Sequence, residues 1–344
     1  MKKYISLLAL AILMCGPAAA QKLSHFGQYH LMPHTLNPAF TGIEDYLDLK
    51  AGFRFSTLPA SLDETQVPNN YFLAANHSIH APEKGNPAAN ALRISDPSSL
   101  IPAIQESTKP RPRHGVGLTF ARREVGIYEN TLALASYAYH QPLFGNWVGA
   151  LGISSGWTQE RIRPGDFIVI DGSDPIFMGL STNGGTFNTL DLNAGLTLYN
   201  PNVYVGYAMN QIASGAISGS AADQGSVISY ITHTIQGGVQ FSPNNTGDYQ
   251  LQLSGVANIN PDLGLTYVAA GKVQYQELIT LGLGYRSEQA ITGYLGLVLG
   301  ARLTAGYSYD YILNGSIREY TTGAHEIILG YRLLNKFLKP TNFW

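Results

Sequence analysis

Charge is what this chain has least of: Asp, Glu, Lys and Arg make up 13% of its 344 residues, about half the share of an ordinary globular domain. A water-facing surface of this size wants about a quarter or more of such residues, so a conventional soluble exterior is in doubt from the start. Cysteine is nearly missing too, with Cys15 the single instance. Beyond the first fifteen positions no apolar run reaches the roughly 18 residues that mark a membrane-crossing helix, which excludes a helical bundle. The net charge of -2 leaves no basic surface for nucleic acid. What is present is 37 glycines, 21 tyrosines and 45% hydrophobic residues, too much apolar and aromatic content for a disordered chain.

The N-terminus has the three parts of a secretory signal. Lys2 and Lys3 give a positive end, Ile5 to Met14 an apolar run, and Ala18-Ala19-Ala20 a small-residue cleavage site before Gln21. Lipid attachment at Cys15 would want a small residue where Met14 stands. With residues 1–20 removed, 324 residues remain, carrying 19 basic and 23 acidic side chains and no cysteine. Disulfides, thiol catalysis and cysteine-bound metals drop out together.

The dominant period along the rest of the chain is two. Leu190, Leu192, Ala194, Leu196 and Leu198 face one way, against Thr189, Asp191, Asn193, Gly195 and Thr197. The same alternation sets Leu47, Leu49, Ala51, Phe53 and Phe55 against Asp48, Lys50, Gly52, Arg54 and Ser56. It recurs at 279–286, 302–310 and 326–333, one face apolar and the other polar or tiny, as a half-buried strand requires. Fourteen spans follow this rule: 46–56, 71–79, 114–123, 130–140, 147–159, 188–199, 201–212, 230–242, 249–257, 263–270, 275–286, 290–298, 302–310 and 323–334. Their lengths cluster near the 9–11 residues of a tilted bilayer-crossing strand, whereas soluble sandwich strands average about 5–6. Tyr46, Tyr71, Tyr139, Tyr199, Tyr275, Tyr285, Tyr309 and Tyr331 stand at span ends, where an aromatic belt meets lipid headgroups. The expected fold is therefore all-β, a closed transmembrane antiparallel β-barrel of about 14 strands, within 12–16. A soluble exported sandwich is the structural alternative.

The expected layout is a signal peptide at 1–20, a periplasmic or plug-like segment at 21–45, a barrel at 46–334 and a tail at 335–344. Long excursions are expected at 80–113, which holds six prolines, at 160–187 and at 213–228.

Ahead of the first strand stands Phe26-Gly27-Gln28-Tyr29-His30-Leu31-Met32-Pro33, then Asn37-Pro38-Ala39-Phe40-Thr41-Gly42. Further blocks are Gly52-Phe53-Arg54, Leu190-Asp191-Leu192-Asn193-Ala194-Gly195, Tyr204-Val205-Gly206-Tyr207, Tyr309-Asp310-Tyr311, Gly323-Ala324-His325-Glu326-Ile327 and Leu329-Gly330-Tyr331-Arg332. In this order they resemble the PorP/SprF family of Bacteroidota outer-membrane proteins. Thr57-Leu58 departs from the Gln-Trp pair of many members, and Ala324 from the usual Ser before His-Glu. The resemblance implies an outer-membrane component of the type IX secretion system, in some members tied to gliding motility. The partners it implies are the C-terminal domain of a secreted or surface-anchored protein and periplasmic parts of the machinery, with outer-membrane lipids around the barrel.

Two sets of residues stand out as candidates. Asn37, Pro38, Ala39, Phe40 and Gly42 form a turn motif that either shapes the barrel mouth or touches a partner. Asp48, Lys50, Arg54, Asp191, Arg286, Arg302, Asp310 and Glu326 are expected to point inward as a lumen network, with a charged channel lining as the other reading. His325 and Glu326 are adjacent in a strand and face opposite sides, so they cannot act as an acid–base pair. His25, His30 and His34 lack the accompanying ligands of a metal centre, and no serine stands at a nucleophile spacing from His140 or His233. No enzyme activity and no cofactor are expected. Small-solute diffusion is the functional alternative.

Overall fold

The computed structural model describes residues 27–44, 46–57, 68–80, 112–163, 178, 185–218, 231–243, 248–261, 264–287, 290–300, 302–318 and 321–333. Fourteen antiparallel strands close into a barrel. The first seven are β1 (Leu47–Thr57), β2 (Asn69–His80), β3 (Arg113–Val125), β4 (Tyr128–Phe144), β5 (Trp147–Ile162), β6 (Thr186–Tyr199) and β7 (Val203–Ser218). The others are β8 (Thr232–Phe241), β9 (Tyr249–Asn260), β10 (Gly264–Tyr275), β11 (Ile279–Arg286), β12 (Ala290–Leu299), β13 (Leu303–Ile312) and β14 (Gly323–Leu333). β14 closes on β1 with Leu47 opposite Leu333 and Thr57 opposite Gly323, so no edge is left unpaired at the seam.

The alternation decides which side faces what. Leu151, Leu281 and Leu283 on the outer wall are 67%, 58% and 69% exposed, as side chains against lipid must be when no lipid is counted. Their neighbours on the inner wall, such as Ala150, Thr280 and Arg286, are buried. The scarcity of charge follows: outward positions are apolar, and inward ones are mostly small or uncharged.

An even strand number brings the start of β1 and the end of β14 to one rim, here called the terminal rim. The turns 145–146, 200–202 and 276–278 also lie there, along with the end of β12, the start of β13, and the departure and return of the proline-rich connection between His80 and Arg113. The expected excursion at 80–113 otherwise falls outside the described residues, as do 1–26 and 334–344.

Two boundaries and one set of side chains differ from the sequence expectation for identifiable reasons. Gln276, Glu277 and Leu278 form a turn in which Gln276 and Glu277 have φ of 47° and 59°, yet no Gly, Pro or Asn announces it. Alternation therefore reads straight through, and β11 begins at Ile279 rather than 275. β7 continues to Ser218, into the expected loop, because an irregularity in its pairing with β6 at Leu192–Ala194 absorbs an offset beside Gln211, whose φ is 60°. The tyrosine belt also loses two members. Tyr71, Tyr139, Tyr275 and Tyr285 face outward, but Tyr46 and Tyr199 turn inward and are buried, because each meets a cation inside: Arg332 over the Tyr46 ring and Arg113 on the Tyr199 hydroxyl.

Candidate functional site: the occupied lumen

Residues 27–44 lie inside the barrel. They run as three short 3-10 turns, Tyr29–Leu31, Pro33–Thr35 and Pro38–Phe40, and the interiors of strands all around the wall hold them. A short segment with so many backbone groups buried must find a partner for each, and the polar inner wall supplies them.

Asn37 shows how the sequence builds this locally. The following proline restricts it to extended backbone, and it is found at φ -145°, ψ 111°. In that position it caps the Pro38–Phe40 turn, its Oδ1 accepting from the Ala39 N–H at 2.9 Å. Its Nδ2 donates to the Leu196 and Tyr207 carbonyls of β6 and β7, at 3.2 and 3.4 Å. Pro38 and Ala39 press against β5 where Gly152 leaves room, and a Cβ there would sit 2.3 Å from the Ala39 nitrogen. Phe40 meets the Tyr204 ring edge-on at 5.5 Å and joins a cluster with Val148, Ala150 and Tyr199. Gly42 takes φ of 70° and donates to Asn76 Oδ1 at 3.3 Å. The Thr41 carbonyl lies 2.8 Å from His140 Nε2, and Arg113 donates to the Ile43 carbonyl. Asn37→Ala removes both bonds to the wall and the cap, so an unfolding midpoint lower by the equivalent of about 1–3 kcal/mol is expected by denaturant titration in detergent.

The charged residues form separate groups rather than one network. Arg54, Asp310, Glu326 and Arg286 make the largest: Arg54 reaches Asp310 at 2.5 Å and Glu326 at 3.3 Å, while Arg286 stands 3.8 Å from Asp310. Thr292 donates to the other Asp310 oxygen at 2.6 Å. Glu326, with no exposed surface, also accepts from the Gly27 and Gln28 N–H groups at 2.7 and 3.0 Å, so wall and segment share one carboxylate. Nearer the terminal rim, Lys50 pairs with Asp48 at 2.7 Å and donates to the Leu31 carbonyl at 2.5 Å. Asp191 stands apart, accepting from Thr158.

Arg302 is a correction. Counting by twos places it inward, but it lies in the exposed turn before β13, beyond the wall, so strand parity no longer governs its side chain. His325 is on the outer wall, 2.7 Å from the Tyr307 hydroxyl, while Glu326 is inside.

Several inward groups escaped the sequence reading. Lys272 is buried with its Nζ 3.5 Å from Gln252 and 5.7 Å from the Tyr294 ring centroid. It falls in the gap between spans 263–270 and 275–286, which opened because the unmarked turn at 276–278 was read as strand. Arg332 stands on the polar face that alternation assigns in the last strand, beside Glu326 and Gly330, and is buried there, although the expected lumen network does not include it. His140 and Arg113 gave none, since their partners are a tyrosine and backbone carbonyls.

His30 and His34 lie in the luminal segment and carry no charge near neutrality. Burial pushes His30 well below the usual histidine range, with Lys272 and Lys50 adding to it. Burial, then Lys50, lowers His34 to about 4, against an opposing pull from Asp48. Among the described residues no group of three or more His, Cys, Asp or Glu is placed to hold a metal ion.

The model of the type IX secretion system membrane protein PorP/SprF matches residues 18–331. The chain belongs to the PorP/SprF family. This PorP/SprF protein is thus an outer-membrane β-barrel of a family assigned to type IX secretion. No curated protein matches it. Among solved structures it is similar to the Ralstonia pickettii toluene transporter TbuX, at 9% identity and a TM-score of 0.48 over 89% of this chain and 92% of that one. It is also similar to the Acinetobacter baumannii outer membrane protein Omp33, at 10% identity and 0.46 over 85% and 100%. The CymD monoaromatic hydrocarbon channel matches at 11% identity and 0.45 over 91% and 94%. Likeness of this size carries no argument about what a PorP/SprF barrel binds or passes.

Proposed function

We propose that this protein is an outer-membrane component of the type IX secretion system that binds the C-terminal domain of a secreted or surface-anchored protein, a gliding adhesin being one such cargo, and links it to the periplasmic machinery. Family membership supplies the system. The observation that supports recognition over conduction is the occupied lumen, in which residues 27–44 bond to β1, β2, β3, β4, β6, β7, β12 and β14. A barrel filled in this way has its rims left for partners. The terminal rim, with both ends of the barrel wall and short turns such as 145–146 and 276–278 beside the longer connection after His80, is assigned to the periplasmic side.

The test is purification of the intact barrel from its own outer membrane in mild detergent. A secreted or surface protein bound through its C-terminal domain, together with periplasmic secretion components, is the expected result. A barrel that emerges free of both, from cells in which it is normally made, contradicts the proposal.

A further inference from the structure

The luminal segment is not held equally along its length. Residues 37–43 are clasped by backbone-close contacts, with Gly152 and Gly195 of the wall leaving no space beside Ala39 and Asn37. The polar side chains of this half, Asn37 and Thr41, all have partners. The other half differs. Gly27 and Gln28 reach the wall mainly through the Glu326 carboxylate, supplemented by the Tyr294 hydroxyl donating to the Gly27 carbonyl at 3.1 Å. Around this tip, Gln28 Nε2, His30 Nδ1 and Ser308 Oγ are buried with no protein partner among the described residues. Unpaired buried polar atoms favour any state in which water reaches them.

The chain direction matters as well. β1 starts at the terminal rim, yet Gly27 lies beside Arg54, Asp310 and Glu326, near the opposite ends of β1, β13 and β14. The described segment therefore runs along the lumen, with Gly27 and Gln28 near the far mouth and its fixed half nearer the terminal rim.

We propose that residues 27–32 are the releasable half of a luminal plug, latched at its tip by Glu326, while residues 37–44 stay fixed in the wall. Tyr29, Leu31 and Met32 seat the movable half at rest through apolar contacts with Val256, Val268, Phe72 and Ile328, and the bonds of Lys50 to the Leu31 carbonyl and of Ser254 to the Tyr29 hydroxyl part with it on release. Withdrawal of the tip exposes the Arg54, Asp310 and Arg286 group to water and turns a closed barrel into a polar passage. The hinge falls between the two halves, in the turn Pro33–Thr35.

Conductance in planar bilayers tests this with two variants. The parent protein is expected to be silent, and Glu326→Ala to show openings, because Arg54 loses one of its two carboxylates but keeps Asp310, whereas the Gly27 and Gln28 N–H groups lose their acceptor altogether. A second protein adds Gly27→Cys and Ser308→Cys to Glu326→Ala. A Cβ on Gly27 would lie 3.4 Å from Ser308 Oγ, within reach of a disulfide, and Cys15 in the expected signal peptide is the chain's own sole thiol. Oxidation should silence this protein and reduction restore its openings. A silent Glu326→Ala variant overturns the proposal, as does conductance that ignores the crosslink. Should Glu326→Ala fail to fold, hydrogen exchange on the parent decides. The Leu31 and Met32 amides bond to carbonyls three residues back, as do those of Phe40 and Thr41. Earlier exchange of the first pair supports release of that half, and equal or reversed order refutes it.

Discussion

A Gly152→Val variant should lose the seating of residues 27–44 while the strands still pair. At Gly152 an added Cβ would come within 2.3 Å of the Ala39 nitrogen and the Pro38 carbonyl carbon, and 2.5 Å of the Pro38 oxygen. All three are backbone atoms of a turn locked by proline and capped by Asn37, so no rotamer change relieves the clash. Overpacking of this kind costs about 1–3 kcal/mol even where side chains can shift, and backbone-on-backbone contact leaves less room to relax. The expected readout is protease cleavage within 27–44 in detergent, with a folded barrel still seen by its heat-dependent mobility on gels. Gly293→Ala is the control, since nothing lies within 4 Å of the Cβ it would add. If both variants resist protease equally, the contact with β5 is unimportant.

The second large effect belongs to Arg54. It is the only cation bonded to both Asp310 and Glu326 among the described residues, and it is buried with them. Taking away one partner of a buried ion pair leaves the others desolvated without compensation, at about 3–5 kcal/mol. Two features soften that: Glu326 keeps its two backbone donors, and Arg286 stands 3.8 Å from Asp310. Arg54→Met, which preserves much of the volume, should therefore destabilise by about 3 kcal/mol, read from urea unfolding of the barrel in a lipid or detergent system that refolds reversibly. Asp191→Asn tests the separation of the groups. Because Asp191 bonds to Thr158 and not to this cluster, its effect should add to that of Arg54→Met rather than merge with it.

How much of this could be read in advance follows from what alternation encodes. A period of two reports which side of a wall a residue faces, so the strands and the inward placement of Asp48, Lys50, Arg54, Asp191, Arg286, Asp310 and Glu326 were legible. It says nothing about height along the barrel or position around it. Hence alternation does not resolve the seven inward charges into their three groups, and it misplaces the eighth, Arg302, which lies beyond the strand. Turns were legible where asparagine, proline or glycine marks them, as at Asn200-Pro201-Asn202, and illegible at Gln276-Glu277. The motif Asn37-Pro38-Ala39 declared a capped turn but not its address. What put it inside the lumen was a set of wall glycines, Gly152 on β5 and Gly195 on β6, scattered far along the chain. Only the folded barrel brings such residues to one turn.

The proposed function requires a barrel that recognises rather than conducts. Its most direct test is solute entry into liposomes carrying the purified protein. Swelling no faster than in protein-free liposomes, for solutes down to the size of a monosaccharide, is the result expected of a lumen occupied by residues 27–44. Swelling that is rapid and falls off with solute size would mean an open pore, and would contradict it.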